Sequence, residues 1–152
     1  MHEISGAKGR APSQGKRIEL QLTGRQYRRL LDMVYIGNWI LNSARGDDRF
    51  ADYDRLQEFL FAQAGKVGMD VLTTFYQGTA YPSEAYQKGG IHEAIADYED
   101  AVFFDILAEE LARRDMEREG VNPDNEDDLA SRMEEYYQEF EAHGIDNITF
   151  TE

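Results

Sequence analysis

The sequence contains no cysteine. That absence excludes disulfides, thiolate metal ligands and thiol nucleophiles, because each of them requires a Cys sulfur. Histidine and tryptophan are also scarce, with three and one among 152 residues, so a metal site would have to rely on carboxylates. No stretch approaches the roughly 20 consecutive apolar residues that cross a bilayer, and the first residues lack the apolar run of a signal peptide. We therefore expect a cytoplasmic protein that does not bind a membrane.

The remaining composition is typical of one globular domain. Hydrophobic residues make up 41 % of the chain, aromatic residues 12 % and charged residues 30 %. A chain of this length can bury a single sizeable core. Residues 1–16 are rich in Gly, Ser and Lys and have almost nothing apolar to bury, which predicts a flexible basic tail. Residues 17–152 are expected to form a single globular domain.

The charge of the chain is divided unevenly along its length. Residues 1–90 hold 12 Lys/Arg and 10 Asp/Glu, a net charge of +2, whereas residues 91–152 hold 4 and 20, a net charge of −16. An excess of that size repels phosphate and attracts basic surfaces. It argues against direct nucleic-acid binding through the acidic half. Two explanations remain open, namely the solubility of an acidic protein and the recognition of a basic partner.

Apolar spacing predicts a helix that begins close to residue 24. Thr23 and Gln26 have the spacing of a capping box, in which each side chain satisfies a backbone N–H of the first turn. Ile36, Trp39 and Ile40 then extend the apolar surface around most of the helix circumference. We therefore expect the C-terminal end of this helix to be buried on several sides.

Three further helices follow from the same periodicity. The second begins after Asp47 and Asp48, and the longest spans Ile91 to Glu119. The last begins at the caps and acidic first turn offered by residues 122–128. Its apolar positions are Leu129, Met133, Tyr136, Tyr137 and Phe140.

Strand signals occur in two terminal segments. Residues 17–23 alternate apolar and polar side chains, and residues 145–151 alternate weakly. A lone strand has no hydrogen-bonding partner, so these two segments are predicted to pair as an antiparallel ribbon. Residues 65–90 favour a short helix followed by a loop, with helix, strand and loop all left open for residues 67–88. The predicted fold is α+β and mainly α, with about four helices around one long central helix and a small ribbon.

Three polar residues stand in apolar surroundings, and together with His92 they form a candidate cleft. Asn38 and Asn42 lie one helical turn apart, Asp105 lies within a strongly apolar stretch, and His92 opens the longest helix. Buried polar groups require partners, and a group without one is a candidate for function. Gathering these four residues into one site would favour an enzyme.

That enzyme hypothesis is a small hydrolase or a metal-dependent enzyme that uses His92, His143 and nearby acids. The sequence contains no phosphate-binding loop, dinucleotide fingerprint, zincin helix or nucleophile elbow. No cofactor is therefore expected. The acids near residue 124 resemble the start of a calcium loop, but they are better explained as the first turn of a helix.

The hypothesis that the charge pattern favours is a non-enzymatic protein–protein interaction module. Its acidic C-terminal helices would engage a basic surface on another protein, or the chain's own basic tail in a dimer. A special case is DNA mimicry, in which carboxylates occupy the positions of phosphates. The acids expected to make the contact are Glu109, Glu110, Asp127, Asp128, Glu134 and Glu135.

Three stretches resemble a group of small uncharacterised bacterial proteins, over most of the chain after the basic tail. They are VYIGNWILNSAR, YEDAVFFDILAEELARRD and YQEFEAHGIDNI. The resemblance implies a bacterial, cytosolic origin. It implies no activity, ligand or catalytic residue.

Overall fold

The computed structural model describes residues 17–149 of the chain. Within them it contains four helices of at least 11 residues and one two-stranded antiparallel sheet, which confirms the predicted α+β, mainly α class. The predicted basic tail lies outside the described residues. The elements are α1 (Gly24–Asn42), α2 (Ala51–Phe61), β1 (Thr73–Tyr76), β2 (Thr79–Pro82), α3 (Glu84–Tyr86), α4 (His92–Glu119) and α5 (Glu126–His143).

Helix α1 begins at the capping box that the sequence predicts. The Thr23 hydroxyl accepts a hydrogen bond from the Gln26 N–H at 3.3 Å, and the Gln26 side chain accepts one from the Thr23 N–H at 2.9 Å. Both donors would otherwise lack a partner in the first turn. The inner face of α1 packs on α2 and on the segment that leads into α4. Its buried residues are Tyr27, Leu31, Tyr35, Asn38 and Asn42.

The sheet is a hairpin from the middle of the chain, so the prediction of a ribbon between the termini is wrong. Residues 17–23 form no strand and are exposed, as are residues 145–147. Strand β1 pairs with β2 through the two-residue turn Gln77–Gly78, where both φ angles are positive. Such a short turn closes a hairpin at little entropic cost, whereas pairing the termini would require the whole domain to fold first. The predicted second strand continues to residue 151, beyond the described residues.

The segment from residue 64 to residue 91 contains two 3₁₀ turns, the β-hairpin and short helix α3. Ser83 caps α3 by accepting a hydrogen bond from the Tyr86 N–H at 3.1 Å. The chain then turns into α4 at Gly89 and Gly90, where a φ of 96° at Gly90 favours glycine. This segment therefore fixes the position at which the long helix starts.

One aromatic core joins α1, α2 and the start of α4. Tyr86 is fully buried at its centre and makes edge-to-face contacts with Tyr35 and Phe61, at centroid distances of 5.3 and 5.0 Å. Its hydroxyl donates a hydrogen bond to Asp32 at 3.0 Å. Burial, and then the Asp32 charge, raise the pKa of Tyr86. Ile91 and Ile95 bring the first turns of α4 into the same core.

Helix α4 has 28 residues and is about 42 Å long. Its first two turns pack against α1, and its second half packs against α5. The residues between these two contacts are mostly exposed. Gly120 ends the helix in the left-handed conformation, with a φ of 71°. Helices α4 and α5 therefore form an antiparallel hairpin that extends from the aromatic core.

Candidate interaction surface on the α4–α5 hairpin

The two helices of the hairpin are held by a narrow apolar seam. Ala108, Ala112 and Met116 of α4 are completely buried against α5. Small alanine side chains allow the two helices to approach closely. Phe140 of α5 closes the seam and packs against Phe104, with ring centroids 5.4 Å apart. The seam uses one face of each helix, so the other faces of both helices carry the charged residues.

Carboxylates greatly outnumber cations on these helices. Residues 92–143 contain 18 Asp/Glu and 4 Lys/Arg. Among the described residues only four of these acids lie within 4.0 Å of a cationic group or a histidine nitrogen. They are Glu109, Asp115, Glu119 and Glu139. The other acids are available to a partner without first breaking an ion pair.

One flank of the hairpin is organised around Asp115. Tyr136 donates a hydrogen bond to this carboxylate, and Arg114 donates another at 2.8 Å. Burial disfavours the charge of Asp115, but these two hydrogen bonds outweigh it and hold its pKa below the usual range. Arg132 pairs with Glu119 across the two helices at 2.5 Å. An open pocket of about 260 Å³ lies beside these groups.

The other flank is fixed by Arg113. Its guanidinium donates to Glu109 at 2.8 Å and to the Pro123 carbonyl at 2.9 Å, so it ties α4 to the turn before α5. Tyr137 faces Asp105 on this side. Burial, and then the hydrogen bond with Asp105, raise the pKa of Tyr137. Asp105 is thus an exposed acid of the hairpin.

The six acids predicted to make the contact are distributed over the hairpin. Glu110, Asp127, Asp128, Glu134 and Glu135 are exposed, whereas Glu109 is half-buried in its ion pair with Arg113. Asp128 also serves the start of α5, because its N–H donates to the Asn125 side chain. Glu135 lines the pocket beside Asp115, and Glu134 lies close to Tyr137 on the opposite flank. Their role in binding stays a prediction.

The structure does not bring the four residues of the predicted polar cleft together. Asn42 donates to the Asn38 side-chain oxygen at 2.7 Å, and Asn38 donates to Asp54 at 3.0 Å. Both asparagines therefore connect α1 to α2. His92 instead contacts Tyr35, with its Nε2 2.8 Å from the tyrosine hydroxyl. Asp105 lies thirteen residues further along α4, about 20 Å from His92.

The candidate metal ligands do not form a cluster in the described part of the chain. Within residues 17–149, no three His, Asp or Glu side chains converge where they could hold a metal ion. His143 lies 3.1 Å from Glu139, one turn earlier on α5, and Asn147 donates to the same carboxylate at 2.5 Å. This carboxylate is therefore already occupied by two neighbours from the same end of α5.

A surface that the sequence reasoning missed lies between α1 and α4. Ile36, Trp39, Ile40 and Tyr98 line a groove of about 510 Å³, and Glu99 lies at its edge. The sequence predicts burial of this end of α1 on several sides. Ile36 and Trp39 do pack against the core, but Ile40 is 63 % exposed, so the burial does not extend to Ile40. The sequence signal for this surface is the apolar residues around most of the circumference of α1, because one small domain does not supply enough packing partners to bury all of them.

Comparison with protein-family models, curated proteins and solved structures gives no match. None of the helices within residues 17–149 combines the length and hydropathy needed to span a bilayer.

Proposed function

We propose that the protein is a non-enzymatic interaction module whose α4–α5 hairpin binds a basic surface on another protein in the cytoplasm. One observation carries this proposal. The hairpin, with its two helices and the turn between them, holds 18 acids against 4 cations, and only four of those acids are engaged by a cation or histidine among the described residues. A charge surplus of this size costs self-repulsion, and a basic partner would relieve it.

The packing of the hairpin supports recognition over simple solubility. Carboxylates on paired helices are held at fixed spacings, because the buried seam and the Arg113 and Arg132 contacts fix the two helices relative to each other. Fixed charges lose little conformational freedom when a partner binds. Their summed field also steers a basic partner and accelerates association. DNA mimicry is the special case in which that partner is a nucleic-acid-binding surface.

Binding of this kind should be strongly dependent on salt. Each exposed ion pair contributes only about 0.2–1 kcal/mol, so affinity must come from many contacts together. Raising the ionic strength from 0.01 to 0.15 M shortens the Debye length from about 30 to about 8 Å, which screens most of that field. Duplex DNA, which is itself an anion, should not bind to the hairpin.

The test uses two charge-reduced variants of the full chain. The first neutralises three hairpin acids that form no ion pair among the described residues: Glu110→Gln, Glu134→Gln and Glu135→Gln. The matched control neutralises three exposed acids elsewhere: Glu19→Gln, Asp47→Asn and Asp70→Asn. Both variants change the net charge by the same amount. Only the hairpin variant should lose affinity for a partner.

Partners are captured from cell extract at low salt, identified by mass spectrometry, purified and titrated against all three proteins. The proposal expects a basic partner whose affinity falls steeply with salt and falls at least tenfold for the hairpin variant. A partner that binds both variants equally, or whose affinity is insensitive to salt, would contradict the proposal.

A further inference from the structure

We propose that two copies of this chain associate through the outer face of α1, with the two α1 helices antiparallel. Helix α1 has an inner row that is buried on α2 and an outer row on the opposite side. The outer row is Arg29, Met33, Ile36 and Ile40, at spacings of four, three and four residues. This alternation is that of the core positions of a coiled coil, in which two helices pack along a shared apolar seam.

After Arg29 the outer row is apolar; Met33 and Ile40 are exposed, and Ile36 between them is half-buried. Met33 is 71 % and Ile40 is 63 % exposed, although their spacing is that of core residues. Between Arg29 and Arg45 the only charged residue is Asp32, and its carboxylate is taken by Arg28, Arg29 and the buried Tyr86 hydroxyl. No charge on this stretch therefore opposes the burial of the outer row against another helix.

Two grooves follow one another along this face. The first, of about 370 Å³, is lined by Leu20, Leu22, Leu30 and Met33. The second, of about 510 Å³, begins at Ile36 and Ile40 and continues onto Tyr98 of α4. Together they follow α1 over about 26 Å, from Gln26 to Ser43. Apolar side chains therefore line the outer side of α1 along most of its length.

The charges at the two ends identify the occupant as a second copy in an antiparallel arrangement. Arg25 and Arg29 border the first groove, and Glu99 borders the second. A two-fold axis near Ile36 places the basic end of one copy on the acidic end of the other, which makes the face complementary to itself. A parallel arrangement would instead place arginine against arginine and glutamate against glutamate.

Gly37 lies close to the centre of the proposed interface. A Cβ atom built on it would meet no other atom within 4 Å, so the backbone is accessible at this point. Antiparallel helices with this spacing pack with their axes about 8–10 Å apart. The absence of a side chain at residue 37 permits that approach next to Ile36, close to the two-fold axis.

This association does not depend on the proposed function. It uses α1 and the first turns of α4, whereas the proposed partner contact uses acids of the second half of α4 and of α5. The hairpin variant Glu110→Gln/Glu134→Gln/Glu135→Gln should therefore dimerise like the wild type. Failure of either proposal leaves the other one intact.

The first experiment measures the mass of the full chain in solution by sedimentation equilibrium over a range of concentrations. The wild type should approach twice its chain mass of 17.5 kDa. Met33→Glu/Ile40→Glu should remain a monomer with an unchanged circular-dichroism spectrum, because both side chains are exposed in the single chain. The matched control, Phe59→Glu/Phe75→Glu, removes two equally exposed apolar residues elsewhere and should still dimerise. A wild type that is monomeric at every concentration, or a control that dissociates equally, would overturn the proposal.

The second experiment determines the orientation, and the lack of native cysteine makes it clean. In the antiparallel dimer two copies of Gly37→Cys lie beside each other and should cross-link under oxidation. Two copies of Ser43→Cys lie about 21 Å apart along the helix axis and should not, whereas Ser43→Cys mixed with Arg29→Cys should cross-link. Strong cross-linking of Ser43→Cys with itself would show a parallel pair and refute the two-fold arrangement. Arg29→Glu and Glu99→Arg should each weaken the dimer, and their combination should restore it.

Discussion

Replacement of Asn42 by alanine should destabilise the protein by about 3 kcal/mol. Asn42 is 1 % exposed and its amide makes three short hydrogen bonds. It donates to the Asn38 side chain at 2.7 Å and to the Phe50 carbonyl at 3.2 Å, and it accepts from the Phe50 N–H at 2.8 Å. Alanine removes all three and leaves the Phe50 N–H and the Asn38 oxygen without this partner.

The expected loss of about 3 kcal/mol combines the hydrogen bonds that are removed with the cost of leaving buried polar groups without a partner. A typical buried hydrogen bond contributes about 1 kcal/mol, and a buried group left without a partner costs about 1–3 kcal/mol. Asn42 also helps to hold Asp54, whose pKa is lowered chiefly by its hydrogen bond with Arg49 and in smaller part by both asparagines. Removal of Asn42 therefore weakens the connection between α1 and α2 at several points.

Urea unfolding monitored by circular dichroism measures this change. With an m value of about 2 kcal/mol/M, a loss of about 3 kcal/mol lowers the midpoint by about 1.5 M. Asn147→Ala, which removes an exposed asparagine that also makes a side-chain hydrogen bond, is the matched control and should change the midpoint little. Equal midpoints for the two variants would refute the argument that this amide network joins the helices.

Three further predictions concern pH and backbone conformation. Burial and Asp32 raise the pKa of Tyr86 above 10.0, so the unfolded chain releases the Tyr86 proton at a lower pH than the folded chain does. The free energy of unfolding should therefore fall as pH rises through 10. The urea midpoint of Tyr86→Phe should fall less over this pH range than that of the wild type. The pKa of Asp115 lies below 3.8, so its contribution to the free energy of unfolding is present above pH 3.8 and should be lost as pH falls below that value. Asp115→Asn should therefore make the urea midpoint less dependent on pH in acid. An unchanged pH dependence would contradict the contacts of Asp115 with Tyr136 and Arg114. Gly120→Ala should lower the free energy of unfolding by about 1 kcal/mol, because Gly120 has a φ of 71° that alanine disfavours. Gly46 does not have a positive φ and has open space around it, so Gly46→Ala should lower the free energy of unfolding much less. Equal thermal midpoints for the two variants would contradict this prediction.

The helices were predictable because their signals are local. The capping box of Thr23 and Gln26, the apolar row after Ile91 and the stop at Gly120 each act within a few residues of the chain. The β-hairpin was missed because Thr73 to Pro82 offers only two short strands, and Gln77–Gly78 is a less familiar turn pair than Asn-Gly. The terminal ribbon was predicted from alternation alone, which does not specify a partner strand.

The sequence predicts the negative charge of the α4–α5 hairpin, but it does not predict which side chains contact one another there. The sequence shows that the acids concentrate after Gly90, but not that Glu134 and Glu135 lie on opposite flanks of α5. The four residues of the predicted cleft lie in different environments. Asn38 and Asn42 face α2, His92 faces Tyr35, and Asp105 faces solvent and Tyr137. These environments differ because α1 packs against α2 on one side and against the start of α4 on another, which the sequence alone does not show.

The central claim is that the acids of the α4–α5 hairpin bind a basic protein surface. Its most direct test is the slope of the logarithm of affinity against the logarithm of salt concentration, measured by titration calorimetry with the purified partner. The wild type should give a steep negative slope, Glu110→Gln/Glu134→Gln/Glu135→Gln a clearly shallower one, and the control variant the wild-type slope. A flat slope for the wild type, or the same slope for all three proteins, would contradict the claim.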